Sequence, residues 1–209
     1  MIEVAPDILY FEKYLDRDLT KNALKLLDEK HDEMFDRELR AAQFPFKKMK
    51  GRLELYDYPE LMDQFNNFWF STVEDMMSDY YLMHVPQPEG IPDDMYVQAI
   101  EGLRLHAQTD WKDVFLIHYL SDVGNHQNHV HIDFSGFTFI ACFDDKYEGG
   151  YLELPKQNYK IKLGKRDLIL FPGGFTHPHG VTPILSGDRK VLVGQSMGPK
   201  QLHKFGKEI

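Results

Sequence analysis

The chain has 209 residues, 43% of them hydrophobic and 27% charged: long enough to bury one substantial core and too apolar to stay disordered. A formal net charge of −9 counts against nucleic acid as the default partner, because proteins that work on phosphate backbones present a basic face. The single cysteine, Cys142, excludes an intrachain disulfide framework and fits a reducing compartment. Met1 to Asp7 lacks the positive flank and apolar run of a signal peptide, and Val114 to Leu120, interrupted by His118, is too short to span a bilayer. A soluble, cytoplasmic protein with no membrane partner is expected; the oligomeric state is left open.

In chain order, Ile8 to Leu15 (ILYFEKYL) predicts a short strand or a docked segment. A helix should follow, with Asp18 or Thr20 as N-cap and Ala23, Leu24, Leu27 and Met34 on its core face. The basic run Lys47 to Gly51 reads as a solvated loop. From Pro59, the residues Leu61, Met62, Phe65, Phe68, Trp69, Val73, Met76 and Met77 recur at helical spacing, and this second helix should end before the Pro86 to Pro92 punctuation. The expected organisation is one domain over 1–209: a mainly helical support region (1–110), a strand-rich core (111–198) and a C-terminal tail (199–209). No internal repeat or low-complexity tract interrupts it.

Beyond Trp111, short runs of Val, Ile, Phe and Tyr alternate with Gly, Pro, Asp and Asn breaks. Strands are predicted at Val114–Leu120, Asn128–Asp133, Phe137–Phe143, Tyr151–Leu154, Tyr159–Leu163, Asp167–Phe171, His177–Thr182 and Arg189–Met197. In the fifth, Tyr159, Ile161 and Leu163 alternate with Lys160 and Lys162, as in a strand with one face in water. Eight short strands with tight breaks suit two packed sheets. The fold class expected is α+β, a double-stranded β-helix (jelly-roll) core flanked by N-terminal helices.

Two stretches carry chemistry. In His129-Val130-His131-Ile132-Asp133 the side chains of His131 and Asp133 share one strand face, with His129 on the same face. A third ligand would complete two histidines and one carboxylate, a set that leaves coordination positions open and suits non-haem Fe(II). His177-Pro178-His179 offers two histidines for that place. His126 reads as a loop histidine, and His31, His84, His106 and His203 as ordinary surface or core residues.

The order of features across Tyr119 to Met197 is informative: His131-Ile132-Asp133, the Gly149-Gly150 turn, the Phe171-Pro172 strand end, then His179, Val181, Pro183, Ile184, Gly187 and Arg189 at fixed spacing. This set resembles the iron(II)- and 2-oxoglutarate-dependent dioxygenases of the prolyl 4-hydroxylase-like branch. The resemblance implies His131, Asp133 and His179 as metal ligands, with Fe(II), 2-oxoglutarate and O2 as cofactor and cosubstrates. It implies Arg189 as the anchor for the distal carboxylate of 2-oxoglutarate, which its planar fork suits. Tyr119 either lends a hydroxyl to the cosubstrate or packs as a core tyrosine. The implied reaction couples oxidative decarboxylation of 2-oxoglutarate to hydroxylation of a peptidyl residue, prolyl among them, or of a small molecule. Asp133 favours hydroxylation over halogenation, since related halogenating enzymes lack that carboxylate.

The sequence departs from the family at two places. Where many members carry a tyrosine on the third strand, this chain reads Cys142-Phe143-Asp144, and Val191 stands where some relatives have Ser or Thr. A nucleic-acid demethylase is disfavoured by the net charge and by the absence of a second arginine shortly after Arg189. The rival from a different class is a non-catalytic, cupin-like jelly roll that binds a metal or ligand through the same histidines. Specificity should reside in the 86–98, Ser121–Asn128 and Lys146–Gly149 loops.

Overall fold

A computed structural model describes residues 1–35, 50–69, 87, 89–98, 109–121, 128–133, 135 and 137–199. Strands β1 (Ile2–Ala5) and β2 (Ile8–Phe11) precede helices α1 (Arg17–Glu29) and α2 (His31–Phe35). Next come β3 (Lys50–Glu54), a 3-10 turn at Leu55–Asp57 and α3 (Pro59–Phe68). The remaining strands are β4 (Thr109–Tyr119), β5 (Asn128–His131), β6 (Phe137–Cys142), β7 (Tyr147–Gly149), β8 (Leu152–Leu154) and β9 (Tyr159–Ile161). They continue with β10 (Leu168–Pro172), β11 (His179–Val181), β12 (Ile184–Gly187) and β13 (Arg189–Pro199).

Seven strands form the major sheet in the order β1-β2-β10-β6-β13-β4-β3, and four form the minor sheet, β5-β11-β8-β9; β12 and β7 make a separate two-stranded ladder. Every pairing is antiparallel. The major sheet is covered on both faces, so its strands read as unbroken apolar runs. Along β4, Val114 and Leu116 face the helices while Phe115, Ile117 and Tyr119 face the minor sheet. β10 divides likewise, Leu168 and Leu170 against Ile169 and Phe171. Leu19, Ala23 and Leu27 of α1 and Phe65 of α3 pack on the first face, and each such leucine stabilises the fold by roughly 1.5–3 kcal/mol.

All eight predicted strands are present with boundaries shifted by a few residues. The fold is the expected α+β jelly roll with helices on one side. Several local expectations are corrected. The cap of α1 is Asp16, whose carboxylate accepts from the Leu19 amide at 2.8 Å, because the helix begins at Arg17; Asp18 lies in its first turn and the Thr20 hydroxyl donates back to the Asp16 carbonyl. Met34 is buried, but it sits on α2, beyond the end of α1. Lys50 and Gly51, expected in a loop, open edge strand β3 opposite Tyr119 and His118. The N-terminal region thus supplies three strands of the major sheet as well as helices. Residues 70–77 of the second predicted helix, and His84, His106, His126 and His203, lie outside the described residues.

Candidate functional site

β5 and β11 are antiparallel neighbours, and His131 and His179 are direct register partners across them. β5 ends at His131, so Asp133 reaches the site from the chain just beyond the strand, not from the strand face the alternation predicted. Its carboxylate nevertheless lies between the two rings. His131 Nε2 is 3.5 Å from Asp133 Oδ1, and His179 Nε2 is 3.4 Å from Oδ2. One ligand atom from each residue falls within 4.8 Å of the others.

The orientation of both rings is set by main chain. His131 Nδ1 donates to the His129 carbonyl at 2.8 Å, and His179 Nδ1 to the His177 carbonyl at 3.2 Å. A carbonyl only accepts, so each Nδ1 carries the proton and each Nε2 presents a lone pair to the centre. The other two histidines of these stretches are held differently. His129 contributes its carbonyl while its side chain is exposed. His177 is buried, but its ring is held at the Pro6 carbonyl (3.2 Å) and the Thr176 hydroxyl (3.0 Å).

Asp133 is fixed from behind. The Thr138 hydroxyl, on the inward face of β6, donates to Asp133 Oδ2 at 2.6 Å, and Ser135 Oγ lies 3.1 Å from the same hydroxyl. Burial acts to raise the Asp133 carboxyl, but the adjoining His131 and His179 rings and the hydrogen bond from Thr138 hold it below the usual carboxylate range. Burial pushes the His179 imidazole down, which favours the neutral, ligating form. Asp133 and His179 are 6% and 4% exposed, whereas the His131 side chain is 37% exposed, so the centre opens on the His131 side.

These three residues line a cavity of about 250 Å³ between the sheets, and Arg189 lines it too. Arg189 begins β13 opposite Tyr119 on β4, with its guanidinium carbon 5.3 Å from the Tyr119 ring centroid. It is 1% exposed, and its Nε and Nη2 are buried with no hydrogen-bond partner among the described residues. Burial opposes the charge, but the neighbouring Tyr119, Cys142 and Tyr147 outweigh it and keep the guanidinium protonated. Burial pushes the Tyr119 phenol up, so it stays a neutral hydroxyl.

Sequence reasoning missed three residues here. Tyr147 on β7 lies beside Cys142 and Arg189, the neighbourhood where the family hydroxyl had no counterpart; its own hydroxyl donates to the Leu163 carbonyl at 2.9 Å. Gly150 makes room for this: a Cβ there would come within 3.0 Å of the Tyr147 ring and 3.1 Å of the Arg189 stem. Thr138 was hidden inside the apolar run Phe137 to Cys142, where a lone inward hydroxyl was the available signal. Arg52 on β3 also lines the cavity, its guanidinium carbon 3.6 Å from the Phe115 ring centroid and its Nη2 donating to Glu54 at 3.1 Å.

No family model matches the chain. Over 121 residues, 57% of its length, it is 26% identical to a PKHD-type hydroxylase of Prochlorococcus marinus (strain MIT 9215). That match covers 48% of the relative, so the chain spans about half the length of the curated relative it matches. Among solved structures it is similar to a prolyl hydroxylase from Trichoplax adhaerens in complex with a hypoxia inducible factor oxygen degradation domain peptide fragment. There the TM-score is 0.57 at 11% identity, over 97% of this chain and 88% of that one. A Pseudomonas putida prolyl-4-hydroxylase matches with a TM-score of 0.54 at 15% identity, over 92% of each chain. The viral collagen prolyl hydroxylase of Paramecium Bursaria Chlorella virus-1, in its 2OG complex, matches with a TM-score of 0.52 at 13% identity, over 95% of this chain and 100% of that one. The fold is therefore that of prolyl 4-hydroxylase-like 2-oxoglutarate oxygenases, and the chain resembles that branch in sequence order and in architecture.

Proposed function

We propose that the chain is an iron(II)- and 2-oxoglutarate-dependent hydroxylase, coupling decarboxylation of 2-oxoglutarate to hydroxylation of a peptidyl residue, prolyl among the candidates, or of a small molecule. The observation that carries this reading is Arg189. It shares one cavity with His131, Asp133 and His179 while two of its guanidinium nitrogens are buried without a partner. Burying a charge with donors left unpaired is costly, so an anionic ligand that restores the missing bonds is the natural occupant. A cupin-like jelly roll that merely held a metal would gain nothing from that arginine.

The donor set fits the metal: two imidazoles in the neutral form, tautomers fixed by main-chain carbonyls, and one carboxylate held ionised. His131 Nε2, His179 Nε2 and Asp133 would hold Fe(II), which with 2-oxoglutarate and O2 supplies the oxidising power to replace an unactivated C–H by C–OH, releasing succinate and carbon dioxide. Arg189 would take the distal carboxylate of the cosubstrate through two parallel, charge-assisted hydrogen bonds. The Tyr119 ring beside the guanidinium restricts its plane, and the Tyr119 hydroxyl is on hand for the same carboxylate. Phe115, Ile117, Ile140, Val181, Val191 and Val193 make the walls apolar and exclude water from the space between anchor and metal.

The opening beside His131 supports a substrate arriving from solvent on that face, and the peptide held by the Trichoplax enzyme supports a polypeptide as that substrate. The test is anaerobic addition of Fe(II) and 2-oxoglutarate to folded protein, followed by visible absorption. A metal-to-ligand charge-transfer band is expected; its absence from iron-loaded protein would sink the cosubstrate assignment. Succinate release across a panel of peptides and metabolites then identifies the substrate.

A further inference from the structure

A second concave surface lies between α1 and the turn joining β9 to β10, and it shares no lining residue with the cavity. Six cations line it: Lys13, Arg17, Lys21 and Lys25 on the α1 side, and Lys165 and Arg166 on the turn. The two sets are distant in sequence and are fastened together by the fold. The Leu15 amide donates to the Arg166 carbonyl at 2.9 Å, Arg166 Nε donates to the Leu15 carbonyl at 2.6 Å, and the Lys13 amide donates to Asp167 Oδ1 at 2.9 Å.

Neighbouring acids offset this charge only in part. Asp28 is engaged with Lys190 at 2.8 Å and Glu29 with Lys25 at 3.5 Å, while Lys13 meets Glu12 at 3.6 Å. Arg17, Lys21 and Lys165 are exposed and have no ion-pair partner among the described residues. Arg17, Lys21 and Lys25 also repeat every fourth residue, which stacks like charges on one helix face. Each such pair destabilises a helix by about 0.2–0.5 kcal/mol. An acidic chain of net charge −9 has concentrated positive charge in one groove, against its overall sign and at some cost to α1.

We infer that this groove binds a short acidic segment of a polypeptide, extended along α1. The spacing matches: four residues of helix rise about 6 Å, and alternate side chains of an extended strand recur at about 6.8 Å. Glutamates or aspartates at every second position of the guest meet Arg17, Lys21 and Lys25 in turn, with Lys165 and Arg166 on the opposite wall. The ladder from Arg17 to Lys25 is only about 12 Å long, which suits a few residues. A nucleic acid would run beyond the groove onto the rest of a chain whose net charge is −9, and a membrane would not enter a concave surface.

The experiment is fluorescence anisotropy of the whole chain with a labelled ten-residue peptide alternating Glu and Ala. The comparisons are the matching Gln/Ala peptide and a single-stranded thymidine ten-mer. The acidic peptide should bind saturably, and tighter than both, with affinity falling steeply as salt is raised. R17E/K21E/K165E, all at exposed positions, should weaken it tenfold or more with an unchanged circular dichroism spectrum. R17Q/K21Q should give a smaller loss, and His179→Ala none. Equal binding of the Gln/Ala peptide, equal binding by the triple variant, or tighter binding of the oligonucleotide would each overturn the proposal.

Discussion

His131 and His179 are direct cross-strand partners, with ring centroids 4.5 Å apart, yet each is turned toward Asp133 by the carbonyl two residues before it. The His129 and His177 carbonyls orient the two rings, so their side chains are expected to be dispensable for metal binding. Replacing His131, His179 or Asp133 by alanine should reduce bound iron to background, measured by metal analysis after dialysis, while His129→Ala and His177→Ala should retain it. Loss of iron in His177→Ala with retention in His179→Ala would reverse the choice of third ligand.

Thr138 is fully buried and donates to the Asp133 carboxylate at 2.6 Å. Thr138→Val keeps the shape and removes that bond. Outer partners of metal ligands typically contribute about 10–100-fold in affinity, so a loss of that size is expected in a chelator competition. Thr138→Ser, which keeps the hydroxyl, should stay close to the parent.

Much of this architecture was legible because two physical signals coincided. Unbroken apolar runs such as Val114 to Ile117 mark strands covered on both faces, and the spacing from His179 to Arg189 fits a hairpin that returns the arginine to the same cavity. What was not legible depends on contacts between distant segments. β3 reads as a basic loop until β4 offers it an edge. Tyr147 gains its place only because β7 pairs with β12 and folds beside Arg189. Asp133 lies beyond the end of β5 and is held by the Thr138 hydroxyl, so strand alternation alone did not give its position.

Gly187 opens the turn that delivers Arg189. Its φ of +68° lies in the left-handed region, and a Cβ there would collide with the Lys146 carbonyl oxygen. Gly187→Ala should destabilise the protein by about 1–3 kcal/mol, read by thermal melting. It should also weaken 2-oxoglutarate binding by displacing Arg189. A variant that melts like the parent would show that the turn relaxes freely.

Two buried histidines give the metal-free protein a defined acid limb. Burial lowers the pKa of both His118, whose Nε2 lies 3.1 Å from Asp188, and His179. A histidine with a lowered folded pKa takes up its proton more readily when unfolded. Stability is therefore full above the ordinary histidine value of about 6.5 and falls as pH drops below it, by at most about 1.4 kcal/mol per pH unit for each group. Melting temperature should decline from pH 7 toward pH 5. His118→Gln, which can still reach Asp188, should decline less steeply.

Arg189, as the proposed anchor, should set stability against function. Its guanidinium is buried with two nitrogens unpartnered among the described residues, which costs the fold when no anionic ligand is present. Arg189→Met has a similar volume and no charge, and apolar side chains such as Val191 and Val181 line the same cavity. By analogy with buried ionic groups replaced by apolar ones, the ligand-free variant should be as stable as the parent or more stable by about 1–4 kcal/mol. It should bind iron, because His131, Asp133 and His179 are untouched. Its affinity for 2-oxoglutarate should fall by about 2–5 kcal/mol, the usual loss when one member of a buried charge pair is removed. Chemical denaturation with and without 2-oxoglutarate measures both effects. The cosubstrate should raise the parent's unfolding midpoint and leave that of the variant where it was, and an equal shift in both would move the anchor to another residue.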